Sequence, residues 1–172
     1  LWEPGGEYAS GSGQHEHLGR LGVPAELALE RAERKAGGAR PPAPDAPVLA
    51  VDTVVDLDGE ELAKAADRAA AAQLLQRMLG RSHLVHTAHC LRTIDGALLR
   101  EVTTATVAFS DPGRAALQRY LDSGDWRGKP GAYGIQAPDL PFASLVAGSL
   151  DTVVGMHVAA VRRLLAAARG RA

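Results

Sequence analysis

The sequence predicts an α/β fold, a mixed twisted sheet with flanking helices. Three observations carry that expectation. Helix-like and strand-like patterns alternate along the chain. Two runs rich in Val, Thr, Leu and Ile, 84–92 and 97–109, flank Asp95-Gly96 and read as a hairpin. Residues 66–79 place Ala71, Leu74, Leu75, Met78 and Leu79 on one helical face. A hairpin inside an otherwise alternating order argues for a mixed sheet rather than an all-parallel one.

The elements follow in order. Residues 1–13 are glycine-rich and read as a loop or a frayed end. Leu18 to Leu21 and Leu27 to Ala36 look helical, interrupted at Val23-Pro24. Residues 37–47 hold four prolines and form a stiff linker. A strand is expected over 48–55, with Asp52 where the apolar run Val48-Leu49-Ala50-Val51 stops. A carboxylate at a strand end is well placed to face a cleft. Asp58-Gly59 reads as a tight turn, and Asp56 and Asp58 are assigned to its solvent-facing side. Lys64, twelve residues after Asp52, is close enough in sequence to return to the same cleft. Gly80 stops the helix over 66–79. Asp111-Pro112 reads as an N-cap with a first-turn proline, opening a helix that buries Leu117, Tyr120 and Leu121 and ends near Gly124. Short strands are expected near 132–136, 142–147 and 152–154. A final helix over 157–168 is expected to bury Val158, Val161, Leu164, Leu165 and Ala168.

Composition narrows the classes of function. The 172 residues fit one domain. Apolar content is 46% and aromatic content only 4%, so the core must be built of Ala, Leu and Val. The net charge of −1 gives no basic excess for nucleic acid or an anionic membrane. No apolar run approaches the roughly 20 residues that span a bilayer. Leu1-Trp2-Glu3-Pro4 is not the start of a secretory signal. Cys90 is alone, which removes a disulfide framework and makes a reducing, cytoplasmic setting the expectation. His15, His17, His83, His86 and His89 lack zinc-site spacing. They read as surface or core histidines, with His83 in the turn before a strand and His86 pointing away from His89. Glu26, Glu30 and Glu33 are helically spaced and read as a solvated face.

Four blocks then carry a resemblance. Val51-Asp52-Thr53-Val54-Val55-Asp56-Leu57-Asp58-Gly59 is the first, and Leu79-Gly80-Arg81-Ser82-His83-Leu84-Val85-His86-Thr87 the second. The third is Ser123-Gly124-Asp125-Trp126-Arg127-Gly128-Lys129-Pro130-Gly131-Ala132-Tyr133-Gly134-Ile135-Gln136, and the fourth is Gly148-Ser149 with Val153-Val154-Gly155. In this order they resemble the Maf family of nucleoside triphosphate pyrophosphatases over residues 48–165. Ala9-Ser10-Gly11-Ser12, with Leu21-Gly22-Val23-Pro24, resembles that family's first block. Gly13-Gln14-His15 stands where the family has Pro-Arg-Arg, and the family's acidic pair before the Lys-Ala helix has no counterpart, so residues 1–47 look like a shortened, divergent part of one domain.

The resemblance implies a two-lobed α/β structure around a central cleft, similar to inosine triphosphatases. It also implies hydrolysis of a nucleoside triphosphate to monophosphate and pyrophosphate with a divalent cation, Mg²⁺ or Mn²⁺. Such a reaction needs charge neutralisation and an in-line oxygen nucleophile. On that reading Asp52 is the metal ligand or water-orienting base, and Lys64 pairs with phosphate or with Asp52. Lys129, in a loop of glycines that permits close backbone approach, and Lys35 contact substrate. Gln136 reads a base edge or holds a water through its amide. Thr53 orients Asp52 or touches the ligand, and Ser10 and Ser12 cradle phosphate with backbone N–H groups. The expected partner is a nucleoside triphosphate, with no nucleic acid or membrane, and a homodimer would resemble the family. A catalytically weakened nucleotide-binding or division-related protein on the same scaffold is the alternative.

Overall fold

The computed structural model describes residues 22–41, 43, 46–138 and 140–170. Ser10, Ser12, Gln14, His15, His17 and the expected 18–21 helix lie outside the described residues. The elements are α1 (Val23–Gly38), β1 (Val48–Leu57), β2 (Glu60–Glu61), α2 (Arg68–Met78), β3 (Ser82–Arg92), β4 (Leu98–Phe109), α3 (Gly113–Ser123), β5 (Ala143–Ala147), α4 (Leu150–Val154) and α5 (Val158–Arg169). The strands form one sheet in the order β2-β1-β3-β4-β5. Helices flank it, as the alternating sequence pattern predicts. Every pairing among the described strands is antiparallel.

The β3–β4 hairpin is the backbone of the sheet. Its register runs from Ser82↔Ala108 to Arg92↔Leu98, and Gly96 takes the left-handed φ of 85° that the turn requires. β1 pairs with β3 from Val48↔Arg92 to Asp56↔Leu84. β2 covers only Asp56 and Leu57, so the upstream half of β1 forms the rim of the sheet among the described residues.

The two faces are packed differently. One carries Val55, Leu57, Val85, Val107 and Phe109 beneath α2, α3 and the loop that follows α3, and this core also holds Leu75, Met78, Tyr120, Trp126 and Tyr133. His83, Phe109, Tyr133 and Phe142 meet edge to face there, with centroids 4.9–5.5 Å apart. Among the described residues, Phe109, Tyr120, Trp126, Tyr133 and Phe142 all belong to this one core. The other face is a seam of small residues. Ala28, Ala32 and Ala36 of α1 lie against Ala50, Val54, Ala88 and Cys90. Spacing of four puts these alanines on one stripe, and their small side chains let the helix sit close to the sheet. Burial pushes the Cys90 thiol up, so it stays protonated.

Several sequence expectations are corrected here. The proline at 24 starts α1 rather than interrupting it, since its missing N–H is harmless in the first turn. β1 runs on to Leu57, so Asp52 lies within the strand and not at its end. Asp56 is buried rather than solvent-facing. It accepts the Gly59 N–H at 2.7 Å and lies 3.2 Å from His86 Nε2. Only Asp58, at φ 56° and ion-paired to Arg81, belongs to the exposed turn. His83 lies in β3 and not in a preceding turn. Of the three short strands, only the one near 142–147 forms. Residues 131–138 are a series of turns, and 150–154 is a helical turn. Asp111 caps the Gly113 N–H at 2.9 Å, so α3 starts one residue beyond Pro112. In α5, Ala160 and Leu164 are buried, but Val158 and Leu165 are exposed. Periodicity counted only one face, and the sheet covers a narrower stripe than that.

Candidate active site

A cleft of about 620 Å³ opens beside the rim of β1. Its walls are Val51, Asp52 and Thr53 of β1, Lys35 of α1, Lys64, the 125–138 segment, and Val153, Val154 and Gly155 at the end of α4. The structure thus brings Asp52, Thr53, Lys35, Lys64, Lys129 and Gln136 to one cavity. These are all the site residues expected from the sequence that fall within the described part.

The α1–β1 wall holds its charges in place. Lys35 Nζ lies 2.6 Å from Asp52 Oδ1 and 3.0 Å from the Val51 carbonyl oxygen. That carbonyl is on the free rim of β1, and the ammonium satisfies it where no strand does. Lys35 sits in the last turn of α1, where a cation also opposes the helix dipole. The Asp52 side chain is 13% exposed. The alanine seam decides this contact, because it lets α1 approach closely enough for Lys35 to reach β1. Of the two roles expected for Lys64, phosphate contact or a pair with Asp52, the second is not formed. Lys35, seventeen residues away in the opposite direction, takes that place.

The opposite wall is built by backbone. Lys64 bridges Pro130, and the Gly131 N–H donates to the carbonyls of Leu62 (2.8 Å) and Ala63 (3.2 Å). Glycine is favoured at 131, for it has φ 63° and a Cβ there would stand 3.1 Å from a Val55 methyl. Ala132 follows at φ 60°, an uncommon conformation for alanine. Such local strain persists only where the surroundings hold it. Here they do: Tyr120 Oη donates to the Ala132 carbonyl at 3.3 Å, and Trp126 Nε1 donates to the Leu121 carbonyl at 3.0 Å. Tyr133 Oη lies 2.7 Å from His83 Nε2. Burial lowers the His83 pKa to about 4 and raises that of Tyr133, so both rings are neutral at pH 7. Lys129 folds over Gly134, where a Cβ would come within 2.9 Å of its Nζ. Neither Lys64 nor Lys129 has an ion pair or side-chain hydrogen bond among the described residues.

The cleft mixes two kinds of lining. Its lining includes three lysines, Lys35, Lys64 and Lys129, together with Asp52. Tyr133, Ile135, Ala137, Pro138, Val153 and Val154 give an apolar surface interrupted by the Gln136 amide. Asp125 also lines the cavity, and sequence reasoning did not single it out although it lies in a quoted block. Tyr133 and Gly155 were missed likewise. Their signal was present in the same blocks, but as aromatic and glycine positions they read as core and turn.

Among the described residues no group of three or more His, Cys, Asp or Glu side chains could hold a metal by themselves. A hard cation bound by one or two carboxylates and by phosphate oxygens does not need such a group. Asp52, with one oxygen engaged by Lys35, and Asp125 fit that pattern. No helix among the described residues is long and apolar enough to cross a membrane.

A family model described as Maf-like protein matches residues 11–168. A dTTP/UTP pyrophosphatase from Bordetella pertussis is 45% identical over 125 residues, covering 73% of this chain and 60% of that protein. Another from Hyphomonas neptunium is 38% identical over 142 residues, 83% of this chain and 73% of its own length. A third from Thermus thermophilus is 44% identical over 118 residues, 69% and 63% of the two chains. The chain therefore spans about 60% of the length of the Bordetella relative.

Proposed function

This chain belongs to the Maf family, and from that premise we propose that it hydrolyses a nucleoside triphosphate to the monophosphate and pyrophosphate. The substrate class is the one its relatives are named for, dTTP and UTP. The observation that carries the reading is the shared cleft, whose lining combines Asp52, Lys35, Lys64 and Lys129 with apolar side chains and the Gln136 amide. Such a cavity suits a ligand with a polyanionic end and a flat, weakly polar end.

In the proposed reaction Asp52 orients a water in line with the α-phosphorus and takes its proton. The new bond joins that oxygen to the α-phosphorus, and the bond to the bridging oxygen of the β-phosphate breaks. Pyrophosphate leaves with the electron pair. Lys35 holds the carboxylate in position. Lys64 and Lys129 have no partner within the described protein, and the developing charge on the phosphates supplies one. Gln136 offers both a donor and an acceptor to a base edge. Ser10 and Ser12 would add hydroxyls on the phosphate side. A divalent cation, Mg²⁺ or Mn²⁺, held by Asp52 would supply neutralisation of the phosphate oxygens, and Asp125 in the same lining is a second carboxylate available to it.

The test is pyrophosphate release from a panel of nucleoside triphosphates with Mg²⁺ or Mn²⁺. Turnover of dTTP and UTP above the purine nucleotides is expected. Calorimetric binding of nucleotides with no turnover of any of them would replace the enzyme reading by that of a nucleotide-binding protein.

A further inference from the structure

Four threonines beneath the cleft direct one another's hydroxyl protons. Thr53 Oγ1 lies 2.9 Å from Thr87 Oγ1, and Thr87 Oγ1 lies 2.7 Å from the carbonyl oxygen of Thr152. A carbonyl oxygen only accepts, and a hydroxyl has a single proton. The Thr87 proton is therefore committed to Thr152, and the proton between Thr53 and Thr87 must come from Thr53. Thr152 Oγ1 donates to Thr103 Oγ1 at 3.1 Å, and Thr103 donates to the Thr87 carbonyl at 3.3 Å. Both paths end on a carbonyl, which sets the direction of donation along each of them. Thr87 and Thr152 are fully buried, at 0% and 1% exposure, which keeps water from reversing it.

The consequence reaches the cleft at Thr53. Its proton points inward to Thr87, so its oxygen offers lone pairs only. Gly155 keeps the space beside that oxygen clear, since a Cβ there would stand 3.2 Å from Thr53 Oγ1. We propose that Thr87 is a positioning residue that makes Thr53 an acceptor-only contact, matched to a hydrogen-bond donor on the nucleoside half of the substrate and unsuited to phosphate oxygens. Two donors answer that description, the imide N–H of a uracil or thymine base and a sugar hydroxyl. The inference rests on the nucleotide reading of the cleft, and it reassigns Thr53 from general ligand contact to selection by polarity.

The test uses the whole chain and the Thr87→Val and Thr87→Ser variants. Valine keeps the shape and frees the Thr53 hydroxyl to rotate and donate, whereas serine preserves both roles of Thr87. The readouts are two ratios of kcat/KM, UTP to CTP for the imide and UTP to 3′-deoxy-UTP for the sugar. Thr87→Val should lower one of them about tenfold, a change of one well-made hydrogen bond, and Thr87→Ser should restore it. A fall in the first ratio identifies the imide, and a fall in the second the hydroxyl. Unchanged ratios in a folded Thr87→Val protein overturn the proposal. The relay also has a readout that needs no substrate. In the wild-type protein the Thr53 hydroxyl proton should exchange slowly with water and show a proton–proton contact to Thr87 by NMR. A fast-exchanging Thr53 proton rejects the relay even if nucleotides are turned over. Absence of turnover with a protected Thr53 proton rejects the proposed reaction and leaves the relay standing.

Discussion

The wall formed by α1 and β1 carries its charges already paired, whereas the wall formed by Lys64 and the loop after α3 carries them open. Asp52 and Lys35 meet at 2.6 Å, and Lys35 also holds the Val51 carbonyl. Lys64 and Lys129 are placed by main-chain bonds, with ammonium groups that bond to nothing among the described residues. The supports differ in the same way. The paired wall rests on a thin seam of alanines, and the open wall rests on a cluster of interlocked rings. A paired carboxylate is oriented before any ligand arrives, while open cations are attracted to whatever anion enters. On the proposed reading, one wall serves chemistry and the other binding.

Four measurements break or sharpen that contrast. The largest effect is expected at the paired wall. Asp52→Asn should lower kcat by about 10²–10⁴-fold with a small change in KM, the range typical for losing a positioned base. A rise in KM with kcat intact would move the chemistry elsewhere. The next effect probes the ring cluster beneath the open wall. The His83 pKa is lowered from 6.5 to about 4 by burial. A histidine depressed in the folded state favours folding fully above the unfolded value. That contribution is lost as pH falls from 6.5 toward 4, because the unfolded chain takes the proton first. The loss should approach about 3 kcal/mol in denaturant unfolding between these limits. In His83→Gln, which keeps an acceptor for Tyr133 and cannot titrate, the pH dependence should shrink by that amount. An unchanged slope would place the titration in other groups.

The alanine seam gives a smaller effect. Ala32→Leu forces α1 away from the sheet and should cost roughly 1–3 kcal/mol. It should also lower kcat, because Lys35 is then drawn off Asp52. A thermal melt read beside the kinetics separates the two consequences, and lost stability with full activity would disconnect the seam from the site. The smallest effect belongs to the open wall. Lys64→Ala and Lys129→Ala should each raise KM about tenfold, an interaction of ~1.4 kcal/mol. The increase should fade as salt is added. A collapse of kcat in either variant would remove the distinction between the two walls.

Much of the fold was legible in the chain because it follows local rules. The hairpin about Asp95-Gly96, the stripe through Ala71, Leu75 and Met78, and the strand through Val55 follow from periods of two or 3.6 residues and from turn chemistry. The blocks around Asp52, Lys129 and Gln136 named the cleft's lining before its shape was known. Other features were beyond local reading. Asp56 looks like a turn residue until His86, thirty positions later, folds against it. The choice of Lys35 rather than Lys64 as partner to Asp52 depends on how closely a helix can approach a strand. Residues 132–136 look β-like, yet Gly131 just before them is tied to the Leu62 and Ala63 carbonyls, and the Ala132 and Ala137 N–H groups close turns on the Lys129 and Gly134 carbonyls.

By itself the sequence determined the long helices and strands, the family and the set of side chains available for chemistry. These rest on backbone propensity, side-chain periodicity and residue type, which act over a few neighbouring positions. Only the tertiary structure decided which charges are paired and which are open, and which way a hydroxyl proton points. Those outcomes depend on contacts such as Lys35 to Asp52 and Thr53 to Thr87, made between residues far apart in the chain. A hydrogen bond is set by tenths of an ångström, and distances of that size exist only once the helices and the sheet have packed.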